Sequence, residues 1–90
     1  MQKSVITVVG KDTIGIIAKV CSFLAAENIN ILDISQTIVQ GFFNMMMIVD
    51  TSSIKTDFSS LSEELDRLGK EIGVQIKCQK EEIFDMMHRI

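Results

Sequence analysis

Apolar residues recur along the chain with two alternating periods, and their order reads strand, helix, strand, strand, helix, strand. Ser4 to Val9 is a β-branched run with apolar or threonine side chains on both faces, the pattern of a central strand. Over positions 13–27, Ile14, Ile17, Ala18, Cys21, Leu24 and Ala25 fall at helical spacing, and a second stripe of Ile16, Val20 and Phe23 runs beside them. Only Lys19, Ser22 and Glu27 form a polar line, so this helix is expected to bury more than half its girth, against a sheet and a neighbouring helix. Asn28-Ile29-Asn30 reads as its exit, because asparagine tolerates the left-handed conformation that often closes a helix. From Ile31 to Val39, Leu32, Ile34 and Ile38 alternate with Asp33, Ser35 and Thr37, as in an edge strand with one face in the core. Gln40-Gly41 is a two-residue hairpin signal, and Phe42 to Asp50 returns from it apolar on both faces except at Asn44. After the loop Thr51 to Thr56, a second helix carries Phe58, Leu61, Leu65, Leu68 and Ile72 on one narrow stripe. Thr56 or Asp57 can cap it, Glu63 with Arg67 and Asp66 with Lys70 are spaced as ion pairs, and Gly73 suits its end. Val74 to Gln79 alternates again and predicts the second edge strand.

The order β-α-β-β-α-β has a short list of solutions. Two right-handed crossovers place the first and third strands in the middle of one antiparallel sheet with both helices on one face. The expectation is therefore an α+β, ferredoxin-like βαββαβ two-layer sandwich with a four-stranded antiparallel sheet, formed by residues 1–80. A tail, 81–90, holds Ile83, Phe84, Met86, Met87 and Ile90 in an amphipathic pattern. It reads as a short C-terminal helix, too short to be helical alone in water, so it must dock on its own sheet or on a second subunit. The sheet's other face is uncovered in such a sandwich, so Val5, Thr7 and Val9 or their alternates, with Met46 and Ile48, would meet water in a monomer. Met45-Met46-Met47 would suit an irregular partner surface as well as plain core filling.

Composition narrows the function classes. Ninety residues make one domain, small enough that burial through self-association would help, so a homodimer is expected. Hydrophobic residues are 47% of the chain, which excludes disorder. The longest apolar runs fall far short of the roughly 20 residues of a membrane span, and the first residues show no signal-peptide pattern, so the protein is read as cytoplasmic, with no membrane partner. A net charge of −3, scattered basic residues and an absence of tyrosine and tryptophan argue against direct nucleic-acid binding. Cys21 and Cys78 lack metal-ligand spacing and read as small buried hydrophobes, and His88 as a surface residue. No nucleophile elbow, metalloprotease motif or cysteine–histidine pairing is present, so the chain is not expected to be an enzyme or to carry a metal or cofactor.

One segment suggests binding. Val9-Gly10-Lys11-Asp12-Thr13-Ile14-Gly15-Ile16-Ile17 joins an apolar strand to an apolar helix through a turn flanked by two glycines, where backbone N–H groups can meet a small anion. The glycine spacing matches a phosphate loop, but the Lys-Ser/Thr pair such a loop needs is Ile16-Ile17 here, which argues against a nucleotide triphosphate. A purely structural role is also open: Asp12 or Thr13 as N-cap, Gly15 for close packing and Asn28 as helix end.

Gly10-x-Asp12-x-x-Gly15-Ile16 before the first helix and Asn28-Ile29-Asn30-Ile31 after it, in a βαββαβ chain, resemble an ACT domain, the regulatory module that binds amino acids. The resemblance covers about residues 4 to 79. The whole chain is similar to small stand-alone bacterial ACT-domain proteins, and to the domains that begin formyltetrahydrofolate deformylases and make up the repressor-like regulator of the glycine cleavage system. It implies a non-catalytic regulatory protein whose amino-acid ligand lies between the first turn and the start of the second strand, often across a subunit interface. The residues implied are Lys11, Asp12, Thr13, Ile14, Gly15 and Ile16 with Asn28, Ile29, Asn30 and Ile31. Asp12 would pair with an ammonium group, and Asn28 or Asn30 would offer amide contacts. The Arg-Pro that precedes the second glycine in many relatives is Thr13-Ile14 here, which removes a charge and a rigid element. The alternative is an interaction module that dimerises or docks on a metabolic enzyme without a ligand.

Overall fold

In a computed structural model, residues 2–11 and 14–80 are described. Six elements follow in the expected order: β1 (Lys3–Lys11), α1 (Ile16–Ala26), β2 (Asn30–Val39), β3 (Phe42–Asp50), α2 (Phe58–Ile72) and β4 (Val74–Lys80). The tail 81–90, for which a short helix was expected, lies outside the described residues, as do Asp12 and Thr13.

The sheet order is β2-β3-β1-β4, every neighbouring pair antiparallel, so the two strands with apolar residues on both faces are the central ones. In antiparallel pairs directly opposed residues share a face. The register Ile6↔Met47, Val8↔Met45 and Val8↔Ile76 therefore puts one alternate set on the helix side, and this set is the core. Against it pack Ile16, Val20 and Leu24 from α1 and Leu61 and Leu65 from α2, all buried. Cys78 belongs to this core, and burial pushes its thiol up to about 11. Ser4 and Thr51, the two buried polar side chains among the described residues, satisfy each other through their hydroxyls at 3.1 Å.

Three expectations are corrected. First, α1 starts at Ile16, after Gly15 at φ 91°, so Ile14 is not helical and is fully exposed. The narrower stripe of Ile16, Val20 and Leu24 is the buried one, while Ala18 and Ala25 face solvent and Ile17 stays 37% exposed. Second, β2 does not bury one face: only Ile31 is half-buried, because the helices stop short of this edge of the sheet. Third, of the residues expected to face water on the open side, Val9 and Met46 do, Thr7 and Ile48 are half-buried, and Val5 is buried. In the methionine run, Met45 and Met47 fill the core and only Met46 is exposed. Of the two ion pairs expected on α2, Asp66–Lys70 forms at 3.3 Å, with both side chains largely in solvent.

Candidate functional site

The two glycines that flank the first turn do different work. Gly10 lies under β4: a Cβ there would sit 2.7 Å from Val74 Cγ1 and 3.0 Å from Val74 Cα, so its small size permits strand packing. Around Gly15 a Cβ would meet nothing within 4 Å, but φ 91° is a conformation that only glycine adopts without strain. Gly15 is the N-cap of α1, and its carbonyl accepts from Lys19 N at 3.0 Å. No described side chain caps this helix, and its first turn holds no acidic residue. The leading amides, from Ile16 onward, therefore have no intrahelical partner. Lys11, the last residue of β1, is exposed opposite Phe42. Ile16 points into the core.

The second motif closes α1. Asn28 takes φ 60°, its N–H donates to Ala25 O at 3.2 Å, and Ile29 N–H donates to Leu24 O at 3.0 Å. This is a Schellman ending, whose characteristic apolar contact is made between Ile29 and Leu24, both buried. Ile29 is thus held by the core. Asn28 and Asn30 are exposed, and Ile31 is half-buried. Asn30 lies opposite Asp50, whose carboxyl is held below its ordinary range first by the Ser52 hydroxyl and then by the Ser52 amide.

Within one subunit the two motifs do not meet. Lys11 pairs with Phe42 at one end of β3, whereas Asn30 pairs with Asp50 at the other, in the same row as Lys3. Eight residues of strand separate Lys3 from Lys11, about 26 Å at about 3.3 Å each. The cause is α1 itself, which carries the chain back along the sheet before β2 begins. The exposed apolar side chains of β2 are not among the candidates the sequence offers, because their alternation gives no sign that helices leave them uncovered. A shallow depression of about 200 Å³ on the open face, lined by Thr7, Val9, Ser35, Thr37, Asn44 and Met46 among others, touches neither motif. Among the described residues, no group of three or more His, Cys, Asp or Glu could hold a metal ion, and no helix is long and apolar enough to cross a membrane.

Comparison with known proteins agrees with this fold. A UPF0237 protein of Bifidobacterium longum is 59% identical over 90 residues, covering all of both chains. The solved ACT domain protein from Streptococcus pneumoniae is 43% identical, with a TM-score of 0.82 over 92% of this chain and 93% of that one. A formyltetrahydrofolate deformylase from Pseudomonas syringae matches with a TM-score of 0.82 at 23% identity, over 89% of this chain and 28% of its own length. A putative glycine cleavage system transcriptional repressor matches at 0.75 and 24%, over 88% of this chain and 45% of its own length. The last two likenesses show the fold alone. A family model described as the ACT domain matches residues 2–79. ACT domains are in general regulatory, ligand-binding modules, and by fold, paired motifs and family match this chain belongs to the ACT domain family.

Proposed function

We propose that this is a non-catalytic regulatory protein that binds a small molecule, an amino acid, in a site shared between two copies of the chain in the cytoplasm. The observation that carries this reading is the separation of the motifs. The start of α1 and the exposed Asn28 and Asn30 lie at opposite ends of one sheet, so a single small ligand can touch both only if a second, oppositely directed copy supplies one half. One copy contributes Lys11 to Ile16, with backbone amides for a carboxylate and Asp12 for an ammonium group. The other contributes Asn28, Asn30 and Ile31, shaped from beneath by Ile29.

A thermal-shift panel of amino acids and folate-related compounds tests it. A compound present at 100 times its Kd raises stability by about 2.7 kcal/mol through mass action. Gly15→Val and Asn30→Ala should each abolish the response, and the second alters only an exposed side chain. Silence across the panel would favour the interaction module, a reading supported by the exposed Val9, Phe42 and Met46 on the open sheet face.

A further inference from the structure

Burial on the open face of the sheet is lopsided. On the two central strands, Val5 opposite Ile48, Thr7 opposite Met46 and Val9 opposite Asn44 form three successive rows of that face. In the first row Val5 is 4% exposed and Ile48 half-buried; in the second Thr7 is half-buried and Met46 40% exposed; in the third Val9 is 43% exposed and Asn44 is exposed too. The described elements do not account for this gradient. α1 and α2 lie on the other face, and Ile54, from the loop after β3, packs there as well. Val5 stands outside that helix-side core although it is buried. Val9 occupies the same strand between the same two neighbours, β3 and β4, so flanking strands alone leave a valine open here.

The buried row is also where the chain leaves the sheet. Lys80, the last residue of β4, opposes Ser4, and Gln79 opposes Val5. Residues 81–90 continue from that point. Their Ile83, Phe84, Met86, Met87 and Ile90 recur at i, i+1, i+3, i+4 and i+7, the single apolar stripe of a helix. Glu81 and Glu82 precede the stripe and His88 and Arg89 fall near its end, the order that a helix dipole favours. The dimensions agree. Ten helical residues span about 15 Å, and four strands spaced about 4.8 Å apart measure about 14 Å from first to last. A helix is about 10 Å across, whereas successive rows on one face lie about 7 Å apart. One helix laid across the strands thus covers the first row, part of the second and none of the third, which is the gradient observed.

We infer that residues 81–90 form a helix that lies across this end of the open face of their own subunit, with its apolar stripe on Val5 and Ile48. Its own sheet is the seat because the segment starts beside the row it covers. Val9, Phe42 and Met46 lie beyond its reach and keep their exposure. On its other side the helix borders the row of Lys3, Asp50 and Asn30, and so the Asn30 half of the shared site. That last consequence rests on the shared-site reading, while the docking rests on the burial of Val5.

Thiol labelling of the full chain tests the docking. With Cys21→Ser in the background, Ile48→Cys reports on the covered row, Met46→Cys on the uncovered one, and the native Cys78, buried in the opposite core, on unfolding. Phe84→Glu with Met87→Glu should speed labelling at Ile48→Cys about tenfold or more, with Met46→Cys changed less than about twofold and Cys78 still protected. An unchanged rate at Ile48→Cys, or an equal acceleration at Met46→Cys, would overturn the docking. Disulfide trapping gives an independent reading without the glutamates. Ile48→Cys combined in turn with Ile83→Cys, Phe84→Cys or Met87→Cys should close a bond within one chain in at least one pair, seen as a monomer on a non-reducing gel. A bond in none of them, or covalent dimers in their place, would overturn the seat on the segment's own sheet. Neither readout uses a ligand, so a silent compound panel would overturn the shared-site reading and leave the docking standing.

Discussion

α1 and α2 cover the same face of one sheet, yet among the described residues only α2 has a side chain that caps its start. Its N-cap, Asp57, accepts from Ser60 N at 2.8 Å, its buried side is the single stripe of Leu61 and Leu65, and Gly73 at φ 81° closes it. α1 begins on a left-handed glycine with no described side chain capping it, and it carries apolar residues on its solvent side as well as its buried one. A helix that only covers a sheet needs one stripe and two caps. The start of α1, where no described side chain acts as a cap, and its second stripe depart from that pattern, and the first of these is proposed to face a ligand shared with a second copy.

Core truncation should show the largest effects and test which stripe is which. At fixed protein concentration, urea unfolding should place Leu24→Ala and Leu65→Ala about 2–5 kcal/mol below wild type, and Ile14→Ala within about 0.5 kcal/mol. An Ile14→Ala loss as large as that of Leu24→Ala would erase the division drawn within α1. Next comes Gly69→Ala in α2, where the new Cβ would lie 2.6 Å from Val74 O. The overpacking, about 1–3 kcal/mol, should outweigh the gain in helix propensity of about 1 kcal/mol, so the variant should melt lower. Gly15→Ala and Gly73→Ala meet no atom and share the same backbone sign, so each should cost about 1–2 kcal/mol, while only Gly15→Ala should weaken a ligand response.

The smallest effect is a pH dependence that α2 has through its cap. The Ser60 amide, and after it the Ser60 hydroxyl, hold the Asp57 carboxyl below its ordinary value. A lowered folded pKa gives stability that is present above the unfolded value, about 3.9, and lost as pH falls through the folded one. Asp57→Ala should therefore melt lower than wild type at neutral pH, and the gap should close below about pH 4. A gap that persists in acid would assign the effect to the cap's hydrogen bond irrespective of its charge.

Much of this architecture was legible in the sequence, and the misses have physical causes. α2 was readable because a single stripe with caps at both ends has one way to lie on a sheet. α1 was not, since two adjacent apolar stripes satisfy the same helical period, and Gly15 delays the start to Ile16, which leaves Ile14 outside the helix. β2 alternates as a half-buried strand does, but alternation reports which side chains share a face and not whether a layer covers them; Ile34 and Ile38 share the helix side with Met47 and Phe43 and remain exposed. The candidate residues were found as two short motifs close in sequence. Their distance in space follows from the antiparallel return of α1, which no motif records.

Subunit mixing tests the shared site most directly. Gly15→Val and Asn30→Ala chains, each unresponsive alone, are combined, allowed to exchange, and titrated by calorimetry with the compound that most stabilises the wild type. Mixed dimers should regain binding at one of their two sites, because one copy keeps an intact turn and the other an intact Asn30. Binding by the wild type with none in the mixture would contradict a site built from two copies.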